Sequence, residues 1–276
     1  SIAAPSIAAG SEGTVTLPFT TDATGSDAEY LINESLCLKE NTAWANAGYA
    51  VAEEQFALNN RPELAAHTAD GGTLTVSGTT VSGTTKDGKA YKVAFGSNGK
   101  MSEWTYAGNS LMHAGPDFNS YRDIDNDRNC GFGFANSSST SVTSKLAKSG
   151  NNAKMSVRGQ ASNCSYTIDY TFYPDATVDM RITLSPTGNT RRLGIGMQFA
   201  GGFEDVEYYA RGPWSNYSDR KTGSFIGRYV TTVDDMIEEQ IHPQTYGDHQ
   251  DLRELTLTNA NKNLSLNINT SGQVAF

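Results

Sequence analysis

The sequence predicts an all-β chain. A large antiparallel β-sandwich follows a smaller, partial sandwich. Three observations carry this. Period-two alternation of apolar residues recurs in one segment after another, placing one side chain in two on a buried face. Gly 27 and Pro 8, with abundant Ser, Thr and Asn, supply the turns that many short strands need. No segment has the 3.6-residue periodicity of an amphipathic helix.

Residues 1–60 read as one block. Gly13–Phe19 alternates as a strand, Tyr30, Ile32, Leu36 and Leu38 alternate again, and Val51–Leu58 is a third candidate. A complete sandwich of this type needs about seven strands. The block is therefore expected to be the closing half of a domain whose first strands lie elsewhere. Residues 61–72, opened by Arg61-Pro62 and closed by Gly71-Gly72, lack periodicity and read as a linker.

Residues 73–276 carry the main strand signal. Val93 and Phe95 alternate, as do Tyr166, Ile168, Tyr170 and Phe172. Val178, Met180, Ile182 and Leu184 follow a Tyr173-Pro174-Asp175 turn. Leu193, Ile195, Met197 and Phe199, then Leu264, Leu266 and Ile268, complete the series. Strands of this kind stack into two sheets about 10 Å apart.

Composition excludes some functions. A net charge of −9 and a pI near 4.9 argue against a nucleic-acid partner, which needs a basic face. Mean hydropathy is −0.46, and no apolar run approaches the roughly 18 residues of a helical membrane span. Cys37, Cys130 and Cys164 are too widely spaced for a zinc pattern or a disulfide framework and read as free thiols, with one bridged pair as the alternative in an exported protein. The chain starts Ser1-Ile2-Ala3 without an initiator Met and is expected to be an internal piece. Its compartment is left open between cytoplasm and periplasm.

The densest run is Tyr208–Gly223. Pro213 has no N–H, so a strand from Val206 must stop at Arg211-Gly212-Pro213. Trp214 and Tyr217 then offer amphipathic rings, which suit either a sugar face or a packed corner. Asp219 stands beside Arg220 and Lys221 and is expected to pair with them locally. A second run, Tyr121-Arg122-Asp123-Ile124-Asp125-Asn126-Asp127-Arg128, has acidic residues at alternate positions. From Asp123 the calcium-loop spacing fails: position six is not Gly and position twelve is not Glu. Glu53 and Glu54 are neighbours on one strand and point to opposite faces, so they cannot share a substrate atom. His242 and His249 lack a third ligand at sensible spacing.

Four segments together resemble bacterial β-galactosidases of glycoside hydrolase family 2. They are Trp44–Gln55, where Tyr49 replaces the family's His; Tyr121–Arg128; Tyr208–Gly223; and Thr231–Arg253. The resemblance implies the end of the fourth domain, an immunoglobulin-like sandwich, and most of the fifth, a galactose-mutarotase-like super-sandwich. It implies a parent that hydrolyses terminal β-galactosides with retention, using two glutamates on a TIM barrel that this chain lacks. A barrel takes about 250 residues of alternating strand and helix. No catalytic residue is assigned here.

The resemblance places Asn126, Asp127 and Arg128 at the rim of the parent's active site, with Trp214 and Tyr217 as further substrate-proximal candidates. It implies no cofactor or metal in this fragment, although the parent family uses Mg and Na ions in the barrel. The implied partners are the galactoside substrate and the missing barrel domain, within a homo-oligomeric parent. No nucleic acid and no membrane are expected. It also implies that the last domain continues past the strand at Leu264–Ile268, towards a Thr-Trp segment whose Trp lines the sugar subsite. The fragment alone is expected to be inactive. The rival readings are an autonomous carbohydrate-binding module using Trp214 and Tyr217, and a mutarotase-like epimerase, for which no carboxylate–His motif is visible.

Overall fold

A computed structural model of the chain describes residues 2–18, 20, 27–120, 141–161, 164–188, 192–239, 241, 246–271 and 274–276. The described residues are all-β: seventeen strands, every pairing antiparallel, and two single-turn 3₁₀ helices at Asp234–Met236 and Ala260–Lys262. No helix among them is long and apolar enough to cross a membrane. The chain divides into two compact units, Ser1–Leu64 and Ala65–Phe276.

The first unit holds one hairpin, β1 (Leu31–Cys37) with β2 (Ala50–Ala57). Pairing sorts its faces. Asn33 sits opposite Gln55 and Ser35 opposite Glu53, and both pairs are hydrogen-bonded. Ile32 and Phe56 face each other across the other side, with Leu36 beyond them. Residues 13–18, expected as a strand, form none: alternation alone does not make a strand without a partner to take its backbone hydrogen bonds. Trp44 and Tyr49 meet edge to face at the hairpin's turn, centroids 5.4 Å apart.

The second unit begins with a five-stranded meander: β3 (Thr73–Ser77), β4 (Thr80–Thr84), β5 (Ala90–Phe95), β6 (Met101–Tyr106) and β7 (Asn109–Ser110). β8 (Met112–Asn119) pairs with β13 (Gly194–Phe199). β9 (Ser141–Ser149), β10 (Asn152–Gln160), β11 (Cys164–Phe172) and β12 (Val178–Pro186) form a second meander in spatial order 12-11-10-9. The last sheet has order 15-14-16-17, from β14 (Asp205–Gly212), β15 (Phe225–Thr232), β16 (Glu254–Asn259) and β17 (Leu264–Asn269).

The two meanders close on one core, as a sandwich does. Val81, Val93, Phe95 and Met101 meet Met155, Val157, Ile168, Tyr170 and Phe172. The Phe95 ring lies edge-on to Tyr170 at 5.4 Å, and Phe118 stacks on Tyr166 at 5.5 Å. β11 alternates as expected, Cys164, Tyr166, Ile168, Tyr170 and Phe172 all being buried. Burial and the neighbouring Asp175 push the Tyr91 phenol up to about 12. A smaller core of Val206, Tyr208, Ala210, Leu252 and Leu255 lines the 15-14-16-17 sheet. Leu111, Phe203 and Leu266 form a third cluster with Trp104 and Tyr106.

Candidate functional site

Of the sequence candidates, Trp214 and Tyr217 follow directly on the end of β14. Along that strand Val206, Tyr208, Ala210 and Gly212 point into the small core, while Glu207, Tyr209 and Arg211 face the other way. The strand ends at Gly212, as the proline requires. Gly212 has no room for a side chain: a Cβ there would lie 2.7 Å from the Tyr208 hydroxyl and 2.9 Å from the Tyr229 ring. Those two rings hold the step from above. Tyr208 donates its hydroxyl to the Pro213 carbonyl at 3.2 Å, and Tyr229 donates to the Gly212 carbonyl at 3.0 Å. Burial, with Tyr229 nearby, pushes the Tyr208 phenol up to about 12.

Asn216 plugs the corner that follows. It is 0% exposed. Its Nδ2 donates to the Arg211 and Trp214 carbonyls at 3.1 and 3.0 Å, and its Oδ1 accepts from the Gln250 N–H at 2.9 Å. Its own N–H donates to the Asp248 carbonyl at 2.7 Å. A buried amide makes such bonds or pays the full desolvation penalty.

Charge reinforces the same junction. Arg211 Nε donates to Asp251 Oδ2 at 2.6 Å and its other arm reaches the Ser224 carbonyl at 2.9 Å. Lys221 stands 3.4 Å from the same carboxylate. Burial pushes the Asp251 carboxyl up, but the Arg211 hydrogen bond and the Lys221 charge outweigh it and hold it below the usual range. Asp248 goes the other way: burial raises it, against the Gln250 amide and the nearby Arg192, His249 and Lys221.

The pairing expected for Asp219 is replaced. Lys221 turns to Asp251, and Arg220 donates to the Ser215 carbonyl and hydroxyl at 3.2 Å while lying 5.5 Å from the centre of the Tyr217 ring. Adjacent residues on a tight turn diverge, so sequence neighbours are poor guides to ion pairs there.

Trp214 and Tyr217 therefore have different surroundings. Trp214 is 72% exposed. Tyr217 is half-buried, bridges to Arg220, and sits against the Asp248 backbone. Asn126, Asp127, Arg128, Cys130 and His242 lie outside the described residues, as does the whole Tyr121–Arg128 run. His249 is buried, with Nδ1 donating to the Arg211 carbonyl at 3.0 Å and its ring packed on Tyr208 and Phe276. Cys37 is exposed and Cys164 buried, both as free thiols. Among the described residues no group of three or more His, Cys, Asp or Glu side chains is placed to hold a metal ion.

Sequence reasoning singled out the rings and missed Asn216 and Gln250. The available signal was the Asn directly after a Pro-containing turn, where Asn commonly bonds local backbone. Its second partner lies 34 residues on, beyond any local pattern.

The family described as Beta galactosidase small chain matches residues 87–274, and that described as Beta-galactosidase, domain 4 matches residues 1–59. A β-galactosidase of Priestia megaterium is 29% identical over 256 residues, covering 84% of this chain and 24% of its own length. One from Halalkalibacterium halodurans is 25% identical over 253 residues, covering 84% and 25%. One from Streptococcus thermophilus is 24% identical over 275 residues, covering 92% and 26%. The chain thus spans about a quarter of the length of these curated relatives. The corner at 211–223 and its clasp at 248–253 both lie within the longer match, which takes in more than half of the chain, and the protein belongs to the β-galactosidase small chain family.

Proposed function

We propose that this chain is a non-catalytic region of a β-galactosidase, scaffolding and bordering a barrel active site that lies in the rest of the parent polypeptide. The observation that carries the reading is the corner at 211–223. Its polar groups are spent inward, on Asn216, Arg211, Asp251 and Gln250, which is how a structural joint is built. The chain's match to only a quarter of each relative supports it from the other side. Retaining hydrolysis needs two carboxyls about 5 Å apart flanking the glycosidic bond. In this reading they belong to the parent's barrel, together with its Mg and Na ions.

The finer assignments go with it. Residues 1–60 are the end of a fourth, immunoglobulin-like domain, 61–72 a linker, and 73–276 a galactose-mutarotase-like super-sandwich. Asn126, Asp127 and Arg128 border the substrate, a terminal β-galactoside. The second reading, an autonomous carbohydrate-binding module, is favoured by one observation, the exposure of the Trp214 ring.

Two measurements on the purified chain separate these. Turnover of a chromogenic β-galactoside should not exceed that of a mock purification. Tryptophan fluorescence and amide NMR shifts should stay unchanged on titration with galactose and lactose. Saturable binding that disappears in Trp214→Ala replaces the scaffold with the module.

A further inference from the structure

Residues 65–72 open the second unit and run up to β3 without strand or helix. Among the described residues, none of them makes a backbone hydrogen bond to the body of the unit. One side chain pins them. His67 Nε2 lies 2.7 Å from Asp175 Oδ2, on the turn between β11 and β12, and the imidazole stands edge-on to Tyr173 with centroids 4.7 Å apart. The receiving carboxylate is itself fixed: its other oxygen accepts from the Thr177 N–H at 3.1 Å, and the side chain is 13% exposed.

The same turn anchors the far end of the segment. A Cβ at Gly72 would lie 2.2 Å from the Pro174 carbonyl oxygen. The Tyr91 hydroxyl reaches the Thr73 carbonyl at 2.9 Å and the Tyr173 carbonyl at 3.2 Å, tying the start of β3 to the turn. Between pin and anchor, Asp70 forms one wall of a cleft of about 420 Å³. Asp175, Thr85, Lys86, Asp87 and Tyr106 line the rest. A segment fixed at one end and held in its middle by a single pair can swing there, because local opening costs least where few contacts must break.

Charge decides when the pair holds. The charged and titratable groups packed about it are Asp175, Tyr173 and Asp179 from the β11–β12 hairpin, Tyr91 from β5, Lys86 and Asp87 from the β4–β5 turn, and Asp70 from the segment itself. Burial pushes the Asp175 carboxyl up, but the Thr177 N–H and His67 outweigh it and hold it below the usual range, so it stays ionised from mild acid upwards. Histidine is the side chain whose charge changes between about pH 5 and about pH 8. With its proton on, the imidazole makes a charge-assisted bond to Asp175; without it, the bond is an ordinary one of roughly half the strength.

We infer that residues 65–72 are a pH-set strap, latched by His67 on Asp175 in mild acid and released towards alkali, and that its release opens the cleft walled by Asp70. The inference stands apart from the proposed function above.

The test is backbone NMR relaxation of the full chain at about pH 5.5 and about pH 8.5, with β3 to β5 as the internal reference. The amides of Thr68, Ala69 and Asp70 should have order parameters of about 0.85 at the lower pH and below about 0.6 at the higher one. Nuclear Overhauser contacts between the His67 and Tyr173 rings should fade over the same range. His67→Gln and Asp175→Asn each remove the charged pair, so each should leave the strap mobile at both pH values while the reference strands keep their order. Asp70→Asn, outside the pair, should leave the transition in place. An unsubstituted chain whose strap order is the same at both pH values overturns the inference. So does a transition that survives in His67→Gln, because another group would then set it.

Discussion

Arg211 and Asp251 are forty residues apart in sequence and 2.6 Å apart in the fold, Nε to Oδ2. Their ion pair ties the last residues of β14 to the segment that leads into β16. Asp251 also adopts a left-handed backbone, φ +60°, which Asp tolerates better than most residues. Replacing Asp251 by Asn leaves Arg211 and Lys221 without a countercharge in a part-buried site. That should cost about 2 kcal/mol, above the surface-pair range and below a fully buried pair. Urea unfolding at neutral pH checks it. The pH dependence has a definite sign. The folded carboxyl is held below its unfolded pKa, so its contribution is fully present above the unfolded value and is lost as pH falls through the folded one. Asp251→Asn should therefore flatten the acid limb of the stability profile. A variant with the same acid limb as the parent sequence would remove Asp251 from this account.

Asn216 supplies the second prediction. Asn216→Asp keeps the shape but replaces the donor that serves the Arg211 and Trp214 carbonyls with a charge facing two oxygens. Asn216→Ala removes three side-chain bonds and strands the Trp214 carbonyl and the Gln250 N–H, while the Arg211 carbonyl keeps His249 Nδ1. Both should lose about 3 kcal/mol, with Asp no better than Ala despite its closer shape. Thermal unfolding of the pair decides the matter; an Asp variant close to the unsubstituted protein would mean that water serves those carbonyls.

The two variants also mark what sequence could tell. Strict alternation made β11, β12 and β17 legible before any coordinates, because one apolar face against one core leaves a period-two record. β9 and β10 were not singled out. Ser141–Ser149 and Asn152–Gln160 are rich in Ser and Lys, and the inward positions of β10 fall to Ala153, Met155 and Val157 amid polar neighbours. Gly13–Phe19 failed in the opposite sense, with alternation but no strand among its described residues. In the site, Pro213 located the end of β14 correctly because its lost N–H is a local fact. Asn216, Gln250 and the Lys221–Asp251 contact were not legible, because each depends on which distant segment the sheet brings alongside.

Gly159 gives the third prediction, in the main core. It pairs across the sheet with Tyr166, whose ring lies over it. A Cβ at 159 would sit 2.2 Å from the Tyr166 ring, an overlap that requires the ring to move. Tyr166 cannot swing freely, because Phe118 stacks on its other side at 5.5 Å. Gly159→Ala should destabilise by about 2 kcal/mol, even though alanine normally suits a strand no worse than glycine. Adding Tyr166→Leu should recover part of that loss relative to Tyr166→Leu alone, since the two changes share one space. Strict additivity in the four-member cycle would argue that the ring has another place to go.

Tyr208 predicts how the fold responds to alkali. Its hydroxyl is buried under Pro213, and its pKa is raised from the ordinary 10.0 to about 12. Between those values the unfolded chain has released the proton and the folded chain still holds it. The unfolded state then binds fewer protons, so stability must fall as pH rises through this window. The loss begins near the unfolded pKa and is complete once pH passes the folded one. Tyr91, raised by burial to about 12, contributes in the same direction. At neutral pH Tyr208→Phe should be less stable by about 1 kcal/mol, from the hydrogen bond to the Pro213 carbonyl. In the alkaline window the variant has no proton to lose there, so its deficit should shrink or reverse. Urea midpoints at about pH 8 and about pH 11 for both proteins test this, with exposed Tyr246→Phe as the control. A deficit that stays constant between the two pH values would mean that Tyr208 ionises as easily folded as unfolded, and that the corner above it opens to solvent before the rest of the fold does.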